Sequence, residues 1–263
     1  MLALVGLAWA VLSTSVAPTP ARGPAAPPAA IAGTWEVERV EGDAQDSSRW
    51  RFPQNDPRFV GRALVVGPGR VELEGDKELT CQQDAWPTRR STWARLFAKG
   101  FPRVRPGMNP NPTPEDFDVV LPKTAKKSAA VVAEVLCQGP YAAKFPLNHW
   151  AAVAPSGELL VHHDTQVLLV LRRRAVDEKP VASFDCAKAA TPTEKTICGR
   201  ADLASWDRSV ALAVSLAKSR EDAHGAEIDT AQAAWGKQRS ACGADANCIE
   251  KLQVARVYEL VGE

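Results

Sequence analysis

The sequence predicts an α+β protein of two domains, an antiparallel β-barrel or sandwich followed by a small α-helical domain with disulfide crosslinks. Residues 31–175 alternate apolar and polar side chains with the two-residue period of strands. Beyond residue 180, apolar residues recur every three or four positions, as on one face of a helix. Four of the six cysteines also lie beyond residue 180, and so short a region needs covalent reinforcement.

The chain begins with an uncharged apolar segment. Residues 2–16 are apolar or small and are fewer than the ~20 that a spanning helix needs. They fit the apolar part of a signal peptide, placed here at 1–17, although no positive residue precedes it; a buried helix is the alternative. Residues 18–30 are rich in Pro and Ala and predict a linker. We therefore expect a periplasmic or secreted protein without a stable membrane anchor.

Composition and spacing argue against several functional classes. The net charge is +1 and the basic residues are scattered, so we expect no binding to nucleic acid. No C-x-x-C motif occurs and no histidine has zinc-like spacing from a cysteine. His162 and His163 are neighbours, which point to opposite faces of a strand. We expect no metal and no other cofactor.

An enzyme that acts on the cell wall is the less favoured alternative. The serine-containing turns at 14–18 and 154–158 lack the pattern that exposes a serine nucleophile. In an exported chain the cysteines are expected to be oxidised. We therefore predict a protein without catalytic residues, although carboxylates that meet in space leave no trace in the sequence.

The first strand is predicted by alternation. Residues 33–40 place Trp35 and Val37 on one face, with Glu36 and Glu38 on the other. This is the pattern of a half-buried strand.

Further strands follow along the β-rich region. Residues 62–75 read as two strands around a Gly-Pro-Gly turn. Another strand is predicted within 129–137, and three short ones lie within 150–174. The last of these is apolar and β-branched enough for a central strand. Residues 101–116 include five prolines and predict a long surface loop.

The ends of this region resemble those of lipocalin-like barrels. Gly33, Thr34 and Trp35 stand near its start, and arginines close its last strand. The resemblance implies that the tryptophan closes the barrel base and that an arginine packs on its ring by a cation–π contact. The alternative is an ordinary core tryptophan. Cys81 and Cys137 are the two cysteines of this region, so we expect them to pair.

A short helix is predicted between Cys186 and Cys198. Thr191 is a good N-cap, and proline at the next position loses an N–H that has no helical partner there. Glu194 completes a capping box, and Gly199 ends the helix. So short a helix is unstable alone. A disulfide between the cysteines on its two sides would therefore stabilise it.

Three longer helices are predicted at 201–219, 226–242 and 244–261. Short loops join them, so neighbouring helices should run antiparallel. Their expected inward residues are Leu203, Trp206, Val210, Ala213 and Ala217, then Ile228, Ala231, Trp235 and Cys242, then Ile249, Leu252 and Ala255.

Four cysteines of the helical region allow three pairings. The two local bonds, Cys186–Cys198 and Cys242–Cys248, are favoured over the crossed ones. The first would hold the short helix against the segment before it, and the second would fix the corner between the last two helices. Each bond is expected to contribute about 2–3 kcal/mol by loop entropy.

An ordered set of residues within 183–260 is typical of one protein family. The set is Phe184, Asp185, Cys186, Glu194, Cys198, Leu203, Asp207, Gln232, Trp235, Arg239, Cys242 and Cys248. With these residues the region resembles the LprI-type domain, a family named for a secreted bacterial lysozyme inhibitor. One departure is Trp206, where such domains often carry leucine before the aspartate. The resemblance implies a disulfide-linked helical fold and a lysozyme as protein partner.

Acidic residues of the helical region are the candidates for contact with that partner. Residues 181–263 carry ten Lys or Arg and twelve Asp or Glu, a net charge of −2, which suits a cationic lysozyme. The alternative to a contact surface is a solvated helix face. The alternative function is a carrier of a small apolar ligand in the barrel. The candidate contact residues are Asp202, Asp207, Glu221, Asp222, Glu227 and Asp229.

Overall fold

The computed structural model describes most of the chain beyond the N-terminal segment. The predicted signal peptide, the first part of the linker and the predicted Cys81–Cys137 bond lie outside the described residues. The domain boundaries themselves stay predictions. The described ranges are 24–46, 52–83, 85–103, 106–125, 129–135, 150–164, 167–220 and 224–262.

The protein is α+β, and its β-rich region is one antiparallel sheet. The order of strands across the sheet is β4-β3-β2-β1-β9-β8-β7-β6-β5. First and last strands of the region, β1 and β9, are therefore central neighbours. The strands are β1 (Gly33–Gly42), β2 (Ala63–Gly67), β3 (Arg70–Leu73), β4 (Asp76–Gln82), β5 (Thr88–Thr92), β6 (Ala129–Glu134), β7 (Trp150–Val153), β8 (Leu159–Asp164) and β9 (Val167–Arg173).

The sheet curls into a half-barrel around an apolar core. Val71 of β3 and Ala133 of β6 are far apart in the strand order, yet both belong to one cluster of buried residues. Gln83, just after β4, donates from Nε2 to the carbonyl oxygen of Glu134 in β6 at 3.0 Å. The inner face of the curled sheet is thus filled by side chains.

Trp35 closes the end of this core. Its side chain is 1% exposed, and its indole N–H donates to the carbonyl oxygen of Ile31 at 2.8 Å. The Arg173 guanidinium lies 4.1 Å from the ring centroid and donates to the carbonyl oxygens of Ala30 and Ala32, both at 2.8 Å. The cation–π contact expected from the sequence is present, and the same arginine fixes the chain that enters β1.

A second apolar layer covers the outer face of strands β6 to β9. Helix α1 (Trp93–Gly100) begins at Thr92, whose hydroxyl accepts from the amide of Arg95. It packs Phe97 against Trp150 and Phe117. Gly100 permits this contact, because a Cβ there would lie 2.8 Å from the Trp150 ring nitrogen. The loop after α1 is anchored through Phe117 in a 3-10 helix, Pro114–Phe117.

The sequence predicts seven of these strands. The alternation predicted for β1 is confirmed, because Trp35 and Val37 are buried and Glu38 is exposed. The hairpin of β2 and β3 and the strands β6 to β9 also lie where predicted. Strands β4 and β5 and helix α1 were not predicted. The loop predicted at 101–116 is anchored to the sheet rather than lying freely on the surface, because Phe101 and Phe117 are buried.

Four helices follow the sheet in the chain. They are α2 (Pro192–Gly199), α3 (Ala201–Ser219), α4 (Gly225–Ala241) and α5 (Ala246–Val261). Thr191 and Glu194 form the predicted capping box of α2. The predicted ends of the three long helices agree with the structure to within two residues.

The inward face of α5 differs from its prediction. Ile249 is buried as predicted, but Ala255 is exposed, and Gln253, Arg256, Val257 and Leu260 are buried instead. A spacing of three residues drifts by about 60° per step on a helix of 3.6 residues per turn, so Ala255 points away. Ala231 of α4 is likewise exposed. All five predicted inward residues of α3 are buried.

Helix α3 packs across the sheet through a polar and aromatic junction. The Arg62 guanidinium lies 3.6 Å from the Trp206 ring centroid and donates to the Ser209 hydroxyl at 2.7 Å. Full burial lowers the pKa of Arg62 to about 9. The Ser205 hydroxyl donates to the carbonyl oxygen of Gly61. Trp206, which the sequence marks only as a packing change, therefore joins the helices to the sheet.

Two glycines make this close approach feasible. Gly61 and Gly75 have φ angles of +85° and +78°, in the region that disfavours side chains. A Cβ at Gly75 would lie 2.8 Å from the Trp206 ring, and one at Gly61 would lie 2.7 Å from the Ser205 hydroxyl. The sheet and α3 are thus fitted to each other at the backbone level.

Candidate protein-binding tip of the helical segment

The helical segment ends in a surface held by two disulfides. We call this surface the stapled tip. It consists of the 3-10 helix Cys186–Lys188, helix α2 and the corner 242–248 between α4 and α5. All three parts lie at one end of the antiparallel helices, next to the start of α3.

The disulfides of the tip follow the local pairing. Cys186 bonds to Cys198 and Cys242 bonds to Cys248, each with a Cα–Cα distance of 5.7 Å. Both bonds pack on one small cluster of buried residues that includes Ile197. They therefore fasten two short loops to a shared core instead of acting at separate places.

Hydrogen bonds complete the attachment of α2. The buried Thr193 hydroxyl donates to the carbonyl oxygen of Gly243 at 2.8 Å, which ties α2 to the corner between α4 and α5. The Glu194 carboxylate accepts from the amides of Thr191 and Ala190, both at 2.9 Å. These backbone hydrogen bonds lower the pKa of Glu194. The three parts of the tip are thus fixed by covalent and polar contacts.

Asp207 of α3 makes buried hydrogen bonds to the segments next to the tip. It is 2% exposed. Its Oδ2 accepts from the amide and the hydroxyl of Ser183, at 2.8 and 2.5 Å, and its Oδ1 accepts from Nη1 of Arg239 at 2.5 Å. Arg239 in turn lies over the Trp235 ring, 4.7 Å from its centroid. The carboxylate joins α3, α4 and the segment before the first cysteine.

The other residues that carry the LprI-type resemblance are buried, cap a helix or make hydrogen bonds within the chain. Leu203 is fully buried beside Phe184, and Asp185 caps the 3-10 helix by accepting from the amide of Ala187. Gln232 accepts from Nε of the buried Arg256 at 3.0 Å. The residues that carry the family resemblance thus set the shape of the helical segment.

The four candidate contact residues within the described part of the chain do not form one surface. Asp207, a predicted contact, is not on the surface of the described chain, because its carboxylate is buried and accepts hydrogen bonds from Ser183 and Arg239. Asp202 lies in the first turn of α3. Asp229 of α4 pairs with Lys218, which lies in the last turn of α3. Sixteen helical positions separate these two turns, about 24 Å.

The other acidic candidates lie away from the tip or outside the description. Glu227 is exposed in the first turn of α4, close in sequence to Asp229. Glu221 and Asp222 lie outside the described residues. Asp202 is the one near the tip, and it is paired with Arg200.

Several important side chains escaped sequence reasoning. Ser183, Thr193 and Arg62 act through partners that are distant in the sequence. Thr193 lies inside the predicted capping box, but the box does not reveal that its hydroxyl faces another helix. Only the spatial proximity of the corner between α4 and α5 does so.

An apolar groove lies near the Trp35 end of the sheet. Its volume is about 250 Å³. It is lined by proline, alanine, valine, isoleucine and tryptophan side chains, among them Ile31, Trp93 and Val153. It lies apart from the stapled tip and gives the β-rich region a concave apolar surface of its own.

The described residues hold no cluster of three or more side chains suited to a metal ion. Within the same residues, no helix is both long and apolar enough to cross a membrane. Compared with known proteins, the chain matches no family model, no curated protein and no solved structure.

Proposed function

We propose that the protein is a periplasmic or secreted, non-enzymatic binding protein of the lysozyme-inhibitor type. In this proposal residues 181–263 form an LprI-like domain, and its stapled tip blocks the cleft of a lysozyme. Export is supported by the two disulfides of the helical segment, because such bonds persist in oxidising compartments.

The observation that supports this function best is the construction of the stapled tip. Lysozymes act through two carboxylates in a cleft, so an inhibitor needs a protruding surface that keeps its shape. Both disulfides and the Thr193 hydroxyl fix short loops around one small core. Rigidity of this kind lowers the entropy lost on binding.

Charge contributes less than shape to the proposed contact. Lys188 and Lys195 lie on the tip together with Glu194 and Asp245, so its charges are balanced. The helical region as a whole carries a net charge of −2. We therefore expect added salt to weaken binding only mildly.

A variant of the exposed corner tests the role of the tip. Ala244→Arg places a long cation in the corner between Cys242 and Cys248, where it should obstruct the cleft contact and repel a cationic lysozyme. The matched control is Ala233→Arg, at an exposed alanine in the middle of α4. Slowing of cell-wall turbidity loss by the full chain is measured with lysozymes of several structural types.

We expect the unmodified chain and Ala233→Arg to slow one lysozyme type equally at micromolar concentration. Ala244→Arg should be at least tenfold weaker. If no lysozyme type is slowed, and calorimetry detects no complex, the inhibitor function is wrong. If both variants are equally weakened, the tip is not the binding surface.

The apolar groove favours a carrier function as the second candidate. In this alternative the β-rich region is a lipocalin-like domain, a view supported by the Arg173–Trp35 contact. The groove of about 250 Å³ is the candidate site, because the inner face of the sheet is filled by buried side chains such as Leu159 and Leu169. Organic extraction of the purified full chain and mass spectrometry would detect a co-purified apolar molecule.

A further inference from the structure

A charged cleft lies where the sheet meets the helical segment. Its volume is about 200 Å³. Strands β1 and β9, the connecting segment 178–181 and the first half of α3 all contribute to its walls. The charged side chains that line it are Glu36, Arg172, Arg174, Glu178, Lys179 and Arg208.

The two carboxylates of the cleft are already occupied. Glu36 accepts from Arg208 at 2.8 Å through Oε1 and from Arg172 at 2.9 Å through Oε2. Glu178 accepts from Arg172 at 2.5 and 2.8 Å, one hydrogen bond to each oxygen. Hydrogen bonding to Arg172 lowers the pKa of Glu178 to about 2. These four groups thus form one ionised network whose charges cancel.

Two further cations of the cleft make no hydrogen bond to this network, although the charge of Arg174 acts on Glu178. Within the described part of the chain, the side chains of Arg174 and Lys179 have no hydrogen bond or ion pair. Arg174 is half-buried and Lys179 is exposed. The cleft therefore carries a net charge of +2, with four cations against two carboxylates. The excess comes from the two groups that are free to bind.

We propose that this cleft binds a small anion that carries a carboxylate or phosphate group. The Arg174 guanidinium offers the planar pair of N–H donors that matches either group, and Lys179 adds a flexible ammonium. The volume of about 200 Å³ suits a compact anion. The site is separate from the stapled tip and independent of the proposed function.

An anion in this cleft would also strengthen the junction. Arg174 follows the sheet, whereas Arg208 and Ala201 belong to α3. A ligand that binds only the folded arrangement of these parts stabilises that arrangement by mass action. Binding is therefore expected to raise the midpoint of thermal unfolding as well as to release or absorb heat.

Calorimetry and thermal unfolding of the full chain test this site. Inorganic phosphate and succinate serve as the two probes, titrated at constant ionic strength against sodium chloride. The test variant is Arg174→Gln with Lys179→Gln. The matched control is Lys123→Gln with Lys237→Gln, which removes the same net charge at two exposed lysines away from both the cleft and the stapled tip.

We expect saturable binding at millimolar concentration in the unmodified chain and in the control. The test variant should bind at least tenfold more weakly. Saturation by phosphate alone assigns a phosphate ligand, and saturation by succinate alone assigns a carboxylate. If neither probe saturates the unmodified chain at about 50 mM, or if test and control variants bind alike, the proposed site is wrong. Neither result affects inhibition by the stapled tip, which is measured separately.

Discussion

The β-rich region and the helical region are stabilised in different ways. Among the described residues, the sheet has two apolar clusters of sixteen and fifteen buried residues. The helical region has three clusters of five, four and three. The sheet is thus stabilised chiefly by apolar volume, whereas the helices depend on crosslinks and buried polar contacts.

The difference follows from size and composition. A region of about 80 residues buries too little apolar surface to offset its conformational entropy with a wide margin. Helix α4 illustrates this, since Trp235 is its one buried residue among those described. The buried interior of the helices instead contains Asp207, Gln253 and Arg256. Loss of a single polar partner should therefore matter more there than in the sheet.

The largest expected effect comes from the apolar side of this comparison. Trp35→Ala removes a fully buried ring together with its contact to Arg173, and we expect a loss of about 5 kcal/mol in the free energy of unfolding. Trp235→Ala removes the same atoms from a cluster of four buried residues and should cost about 3 kcal/mol.

Urea unfolding monitored by circular dichroism measures both losses, provided that the slope with denaturant is unchanged. Equal losses, or a larger loss for Trp235→Ala, would show that the helical region depends on its apolar clusters as strongly as the sheet does.

The disulfides test the other side of the comparison. Replacing Cys186 and Cys198 with alanine should lower the free energy of unfolding by about 3 kcal/mol, because the bond closes a loop over twelve residues of separation. Replacing Cys242 and Cys248, six residues apart, should cost about 2 kcal/mol. Amide hydrogen exchange should rise in α2 and at the corner between α4 and α5. If exchange rises equally throughout the sheet, the bonds are not local supports.

Local chemistry explains which elements the sequence predicts. Thr191 and Glu194 predict the start of α2, and Gly199 predicts its end. The glycine turn predicts the β2–β3 hairpin. Helix α1 escaped prediction, although Trp93, Leu96 and Phe97 have helical spacing and Thr92 is a good N-cap.

The arrangement of the candidate site was not open to prediction. In the sequence, Asp207 looks like an ordinary surface aspartate. Its buried carboxylate is hydrogen-bonded by Ser183 and Arg239, which belong to other elements of the fold. Asp202 and Asp229 were both candidates for one acidic surface, but Asp202 lies in the first turn of α3, whereas Asp229 of α4 pairs with Lys218 in the last turn of α3. Such relations depend on tertiary packing, which a single sequence does not encode locally.

The junction between the two regions provides the third test. Trp206→Leu removes the ring that covers the buried Arg62 guanidinium and leaves a desolvated cation with less compensation. We expect a loss of about 2 kcal/mol and faster amide exchange in both α3 and the strands β2 and β3. The control, Trp235→Leu, should affect exchange in the helices alone. Changes confined to α3 after Trp206→Leu would show that the junction does not couple the regions.

The smallest expected effect concerns the pH dependence of the segment that connects sheet and helices. Hydrogen bonds from Arg172 lower the pKa of Glu178 from 4.5 to about 2. Because the folded pKa lies below the unfolded one, this stabilisation is complete above about pH 4.5 and is lost as the pH falls towards 2. Its size should stay below about 1 kcal/mol, since the pair is partly exposed to solvent.

Glu178→Gln measures this contribution by its pH profile. The unmodified chain should be more stable than the variant by a constant amount between pH 5 and 7, and the difference should vanish near pH 2. Glu72→Gln is the control, because Glu72 pairs with Arg70 at 3.4 Å on an exposed face of the sheet and should give a smaller and flatter difference. A difference for Glu178→Gln that persists unchanged to pH 2 would mean that the amide loses packing or hydrogen bonding, and not an ion pair. The connecting segment would then be stabilised by packing and not by charge, like the sheet that precedes it.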